Sequence, residues 1–210
     1  MKTDERDEKV VGVLLAGGLA TRMGGGDKCL RQLAGRPLLD HLIDVVTPQV
    51  DVLALNANGD SDRFTSYGLP VLADVIGGYA GPLAGVLTGL EWTQKNVSDA
   101  IWVASFATDA PFLPVDLVAR LLWAVKNEGA DMACASSQGR VHPVFGIWPV
   151  SLAGDLRAAM INEDIRKIDL WTARYNLTIV DFKCKEGNDP FFNINQPDNL
   201  AEAGRIMAEL

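Results

Sequence analysis

Histidine and cysteine are scarce in this 210-residue chain, with two of the first and three of the second. Cys29, Cys134 and Cys184 are odd in number, far apart and never spaced as C-x-x-C, so neither a disulfide framework nor a zinc cluster is expected, and a reduced, cytoplasmic setting fits. His41 and His142 have no neighbouring ligand-type residues at metal spacing and are assigned no chemistry; lining an acceptor pocket is the one role left open to His142. Positive charge is also short. Nineteen Lys and Arg against 27 Asp and Glu leave a net charge of −8, which argues against nucleic acid or an anionic membrane as a partner, so any phosphate site must be built locally.

Other things missing narrow the class further. No apolar run approaches the roughly 20 residues of a membrane span. The charged residues 1–9 lack the basic start and apolar core of a signal peptide. No linker, repeat or low-complexity tract interrupts the chain, so it is expected to be a charged tail (1–9) followed by one domain (10–210), with a nucleotide-binding half at about 10–115 and an acceptor-binding half at about 116–200. With 48% hydrophobic and 22% charged residues, that domain can bury a sizeable core.

What is present is a regular alternation. Val10–Ala16 is a β-branched apolar run that stops at glycines, as a strand buried on both faces would. Strands are also expected at 51–57, 69–73, 100–107, 131–135, 141–148 and 177–181. Helices are expected at 38–46, 82–95, 114–127, near 151–160, at 164–173 and from Pro197. This order implies a doubly wound α/β domain, Rossmann-like, with a mainly parallel sheet and helices on both faces. Ligands in such folds sit beyond the carboxyl ends of the strands, so the residues following each strand carry the functional argument.

After the first strand comes Leu15-Ala16-Gly17-Gly18-Leu19-Ala20-Thr21-Arg22-Met23-Gly24-Gly25-Gly26-Asp27-Lys28. Five glycines between 17 and 26 leave backbone N–H groups unhindered, as wrapping a triphosphate requires, and Arg22 and Lys28 supply local positive charge. The loop is neither the Walker pattern, since Asp27 precedes Lys28 and Cys29 follows it, nor the dinucleotide pattern G-x-G-x-x-G. Asp109 ends an apolar strand where a carboxylate could hold a magnesium ion against phosphates; Asp116 stands closer to the next helix and suits its N-cap at least as well. Asn56 and Asp74, at the ends of neighbouring strands, could meet the base or ribose, or simply form turns. Of Asn193 and Asn195, one could complete a metal shell while the other braces the turn before Pro197.

The loop signature, with Asn56-Ala57-Asn58, Pro70-Val71 and Asp74, Gly81-Pro82-Leu83-Ala84-Gly85, Thr108-Asp109-Ala110-Pro111-Phe112 and Asn193-Ile194-Asn195-Gln196-Pro197, resembles the molybdenum cofactor guanylyltransferases. Those enzymes are nucleotidyltransferases of the nucleotide-diphospho-sugar transferase-like fold. The motifs run in the right order over about residues 10–200. The resemblance implies transfer of GMP from GTP to the terminal phosphate of molybdopterin with release of pyrophosphate, and Mg²⁺ as cofactor. It implies Arg22, Lys28 and Asp109 as catalytic residues. It implies Leu15, Ala16, Gly17, Gly18, Lys28, Asn56, Asp74 and Asp109 as GTP ligands, and it selects Asn195 to join Asp109 at the metal. By analogy, other cofactor-assembly proteins would be partners. A cytidylyltransferase on the same pterin, a sugar-1-phosphate nucleotidyltransferase and a non-catalytic nucleotide-binding protein are the alternatives. Gly17 favours GTP, because the cytidylyl relatives usually read Leu-Ala-Ala-Gly.

Overall fold

The computed structural model describes residues 8–17, 26–78, 81–184 and 188–209. In chain order the elements are β1 (Lys9–Leu15), β2 (Gln32–Leu33), β3 (Arg36–Pro37), α1 (Leu38–Val46), β4 (Val52–Asn56), β5 (Val71–Leu72) and α2 (Pro82–Asn96). There follow β6 (Ala100–Ala107), α3 (Leu117–Glu128), β7 (Met132–Ser137), β8 (Arg140–Pro149), α4 (Ala153–Asn162), α5 (Ile168–Thr172), β9 (Leu177–Asp181) and α6 (Pro197–Glu209).

Seven strands form one sheet in the order β5-β4-β1-β6-β8-β7-β9. All neighbours run parallel except β8, which is antiparallel to both β6 and β7. The expected mainly parallel, doubly wound sheet is therefore present. Its one reversal comes from the β7–β8 hairpin, where Gln138 and Gly139 both take positive φ (49° and 74°), the geometry of a two-residue hairpin turn. From β1 the chain first builds outward to β4 and β5, then returns to place β6 on the other side of β1. The order thus reverses between β1 and β6, and a crevice opens at their carboxyl ends.

Alternation along β1 explains the two cores. Val10 and Leu14 join a cluster with Leu39, Leu42 and Val46 of α1 and Leu117, Leu121 and Val125 of α3. Val11 and Val13 point the other way, to Leu83, Val86 and Leu90 of α2, Leu156 of α4 and Trp171 of α5. Both faces of the sheet are buried, as an uninterrupted apolar strand requires. Trp148 is fully buried on the second face, and its indole N–H donates to Ser105 Oγ at 2.9 Å. A third, smaller cluster of Leu33, Leu38, Ile194 and Ala203 ties α6 to the start of α1 and to the small β2–β3 hairpin, a pair of strands too short to register as periodicity.

Two helix boundaries differ from the periodicity. The helix expected from residue 114 starts at Leu117, after a turn in which the Leu117 N–H reaches Pro114 O. Asp116 does sit at its N-cap, but its side chain makes no capping hydrogen bond. The helix expected over 164–173 shrinks to Ile168–Thr172, because Asp164 takes a left-handed conformation (φ 55°) that no α-helix passes through.

Candidate active site

The register of the sheet brings the expected residues to one level. Leu15 stands opposite Asn56 on one side and Ala107 on the other, and the next N–H, that of Ala16, donates to Asn56 O at 2.9 Å. Thr108 Oγ1 donates to Leu15 O at 3.1 Å, so the residue before Asp109 is tied to the strand that feeds the glycine loop. Ala16 is buried, while Gly17 is exposed at the mouth of the crevice. Gly18 and Arg22 lie outside the described residues.

Three distant segments meet at Lys28. Its ammonium donates to Asp109 Oδ2 at 2.6 Å and to Asn195 Oδ1 at 2.6 Å. Both charged side chains are largely shielded, with 14% and 19% exposure, so their attraction is weakly screened. The segment carrying Asn195 is pinned beside Asp109 by the Ile194 N–H, which donates to Asp109 O at 2.8 Å. Asp109 Oδ1 and Asn193 Oδ1 are buried acceptors without a hydrogen-bond partner. Such atoms are costly unless something fills them. Among the described residues no group of three or more His, Cys, Asp or Glu could hold a metal by itself. One carboxylate with nearby amide oxygens is instead a donor set suited to a hard divalent cation that takes its other ligands from a substrate and water.

A second node forms at the ends of β4 and β5. Asn56 is buried, and its amide donates to Leu72 O at 3.1 Å and to Asp74 Oδ1 at 2.8 Å. Asn58 Nδ2 donates to Asp74 Oδ2 at 2.7 Å, and the Asp74 N–H returns a bond to Asn58 Oδ1 at 2.9 Å. The Asp74 carboxylate is thus held from both sides. Two of its roughly four lone-pair positions are used by amides, which leaves two for a ligand. Helix α2 packs directly over this node because Gly85 has no side chain: a Cβ there would stand 2.4 Å from Asn56 Oδ1 and 2.6 Å from Leu15 Cδ2.

The model of the MobA-like NTP transferase domain matches residues 12–175. The chain is 56% identical over 194 residues, 92% of each chain, to the molybdenum cofactor guanylyltransferase of Rhodopseudomonas palustris (strain BisB5). This chain belongs to the molybdenum cofactor guanylyltransferase family. As a member of that family it is a nucleotidyltransferase. Another relative, from Bradyrhizobium sp. (strain ORS 278), is 52% identical over 206 residues, 98% of this chain and 97% of its own. The fold matches the crystal structure of the molybdopterin-guanine dinucleotide biosynthesis protein A from Archaeoglobus fulgidus, with TM-score 0.74 and 22% identity over 95% of this chain and all of that one. It is the nucleotide-diphospho-sugar transferase fold.

Within this guanylyltransferase framework the motif residues separate into two groups, Lys28, Asp109 and Asn195 at one node and Asn56 and Asp74 at the other. Asn58 was not among the expected GTP ligands. Residues two apart on extended backbone face the same way, so Asn58 joining Asn56 at Asp74 was readable from the Asn-Ala-Asn spacing. Cys29, Cys134 and both histidines pack or hydrogen-bond within the fold. Cys29 and Cys134 are buried, and burial pushes each thiol up to about 12. His41 Nε2 meets Leu33 O at 2.9 Å. His142 is buried against Ser137 Oγ, 2.8 Å away, and Ser137 Oγ also donates to Asp189 Oδ1 at 2.7 Å. Among the described residues no helix is long and apolar enough to cross a membrane.

Proposed function

We propose that the crevice between β1 and β6 binds GTP with Mg²⁺ and transfers its GMP to the terminal phosphate of molybdopterin, releasing pyrophosphate. The observation that carries this reading is the meeting of Lys28, Asp109 and Asn195 from three separate parts of the chain, at the open end of the crevice. The loop from Leu15 to Lys28 wraps the triphosphate through its backbone N–H groups, with Arg22 adding charge. Lys28 neutralises the phosphates as charge moves towards pyrophosphate. Asp109 and Asn195 would hold the cation through oxygen atoms, and the cation would supply Lewis-acid stabilisation of the charge that builds up on the phosphates. Asp74, braced by Asn56 and Asn58, accepts the N1–H and exocyclic amine of guanine, an edge that cytosine and adenine do not present.

No general base is needed. A phosphomonoester has its second pKa near 6, so the acceptor is mostly dianionic at pH 7. The protein's task is to bring two polyanions together and hold them in line, which is a matter of cations and positioning. The second half of the chain, about 116–200, receives the pterin. The product's use in molybdoenzymes implies handover between cofactor-assembly proteins in the cytoplasm.

The test is the melting temperature of the protein with GTP, CTP, UTP, ATP and NAD, each with and without Mg²⁺. A ligand at about 100 times its Kd stabilises the native state by roughly 2.7 kcal/mol, a readily measured shift. GTP with Mg²⁺ should give the largest shift. A larger shift with CTP would move the reading to the cytidylyl reaction, and a shift with NAD alone would overturn it.

A further inference from the structure

Between β4 and β5 the chain forms a 3-10 turn, Ser61–Tyr67, whose N-cap Asp60 accepts from the Asp62 N–H. Arg63 projects from this turn, lies over the ring of the fully buried Phe64 at 4.6 Å, and is mostly shielded from solvent. Its guanidinium makes three contacts. Nη1 donates to Asp60 O, Nη2 donates to Asn58 O at 2.6 Å, and Nε ion-pairs with Asp27 Oδ2 at 2.6 Å. Asp27 is the residue immediately before Lys28. It occupies the N-cap position of the 3-10 turn Lys28–Leu30, yet its carboxylate makes no capping bond there and is turned to Arg63 instead. Asn58 is the residue that clamps Asp74 on its outer side.

We infer that Arg63 is a positioning residue that couples the phosphate end of the nucleotide site, through Asp27 and Lys28, to its base-reading end, through Asn58 and Asp74. This rests on the GTP reading given above. Arg63 touches neither set of ligand-facing atoms directly. The planar guanidinium donates to two carbonyls through Nη1 and Nη2 while its Nε, which makes no hydrogen bond, stands in ion-pair contact with Asp27, an arrangement that the single ammonium of a lysine cannot reproduce. Arg63 also neutralises Asp27. Left unpaired, that carboxylate would stand next to Lys28 and oppose the binding of a triphosphate.

The two arms can be separated by substitution and by the choice of nucleotide. Arg63→Gln leaves Asp27 unpaired and should weaken binding of GTP with Mg²⁺ about tenfold, or about 1.4 kcal/mol. Adding Asp27→Asn to that variant removes the stray carboxylate and should restore the part of the loss due to that charge, with the GTP-to-ITP ratio staying as low as in Arg63→Lys. Arg63→Lys keeps a charge beside Asp27 but gives up the fork on the two carbonyls. It should keep near-normal affinity for ITP, whose base lacks the exocyclic amine, while its affinity for GTP falls towards that for ITP. Equilibrium binding by calorimetry reads all three, with cooperative melting of each variant as the folding control. Wild-type affinity in Arg63→Gln would overturn the coupling, and so would a loss that Asp27→Asn does not relieve or an unchanged GTP-to-ITP ratio in Arg63→Lys. Failure of the wild-type protein to bind GTP would overturn the nucleotide reading itself, and the coupling with it.

Discussion

Replacing Gly85 by alanine adds one methyl group to a helix, a change that normally stabilises. Glycine in a helix interior costs roughly 0.5–1 kcal/mol relative to alanine. Here the new Cβ would stand 2.4 Å from Asn56 Oδ1, 2.6 Å from Leu15 Cδ2 and 3.2 Å from Asn56 Cγ. Neither neighbour has room to retreat. Asn56 is buried and held by its bonds to Leu72 O and Asp74, and Leu15 closes the end of β1. Either α2 lifts from the sheet or Asn56 swings away from Asp74. Overpacking of this kind costs about 1–3 kcal/mol, and a lost hydrogen bond costs about 0.5–1.5 kcal/mol more. After the gain in helix propensity, the net loss is about 1–3 kcal/mol. For a domain of this size each kcal/mol lowers Tm by roughly 2–4 °C. Gly204→Ala is the matched control: it lies within α6 with nothing within 4 Å of the added Cβ, and it should gain about 0.5–1 kcal/mol. Thermal and urea unfolding of both variants, with GTP affinity measured alongside, decide the matter. If Gly85→Ala proves as stable as the wild type and binds GTP equally well, the close packing of α2 on the Asn56–Asp74 node is not what makes position 85 a glycine.

Two further expectations concern the site and the core. Lys28→Ala and Asp109→Ala should each fold but lose on the order of 10²-fold or more in turnover, the usual effect of removing one preorganised charge contact; pyrophosphate release measures this, and unimpaired turnover in either variant would remove it from the mechanism. Burial holds the His142 imidazole below its ordinary value of 6.5, against the attraction of Asp189. Below that pH the unfolded chain takes up a proton that the folded chain refuses. His142 therefore costs no stability above about pH 6.5 and lowers it progressively as the pH falls towards its folded-state value. Denaturant midpoints across pH 5–8 should decline less steeply on the acid side in His142→Gln than in the wild type.

The alternation of strand and helix was legible because each main-sheet strand except β5 is a long enough apolar run to show its period, and the doubly wound order follows from it. The candidate site residues were legible because such a sheet places whatever follows a strand in one crevice. Lys28, Asp109 and the Asn56–Asp74 pair all obey that rule. Asn195 does not follow a strand; only the family motif pointed to it. Arg63 was invisible for a related reason. It stands in a short polar stretch with no motif, and its importance comes from Asp27, a partner brought near only by the pairing of β1 with β4. The reversed direction of β8, itself expected as a strand, and the two-residue strands β2 and β3 escaped because periodicity reports neither strand direction nor pairings that short.

The bond between Lys28 and Asn195 joins residues 167 apart in sequence. During synthesis all seven strands of the sheet can pair once Asp181 has left the ribosome, but the first core still lacks Phe182 and Phe191, and Lys28 has only Asp109 to hold. A nascent chain can thus have its sheet in order before the Lys28 node is complete, and the residues translated just before α6 determine when that node closes.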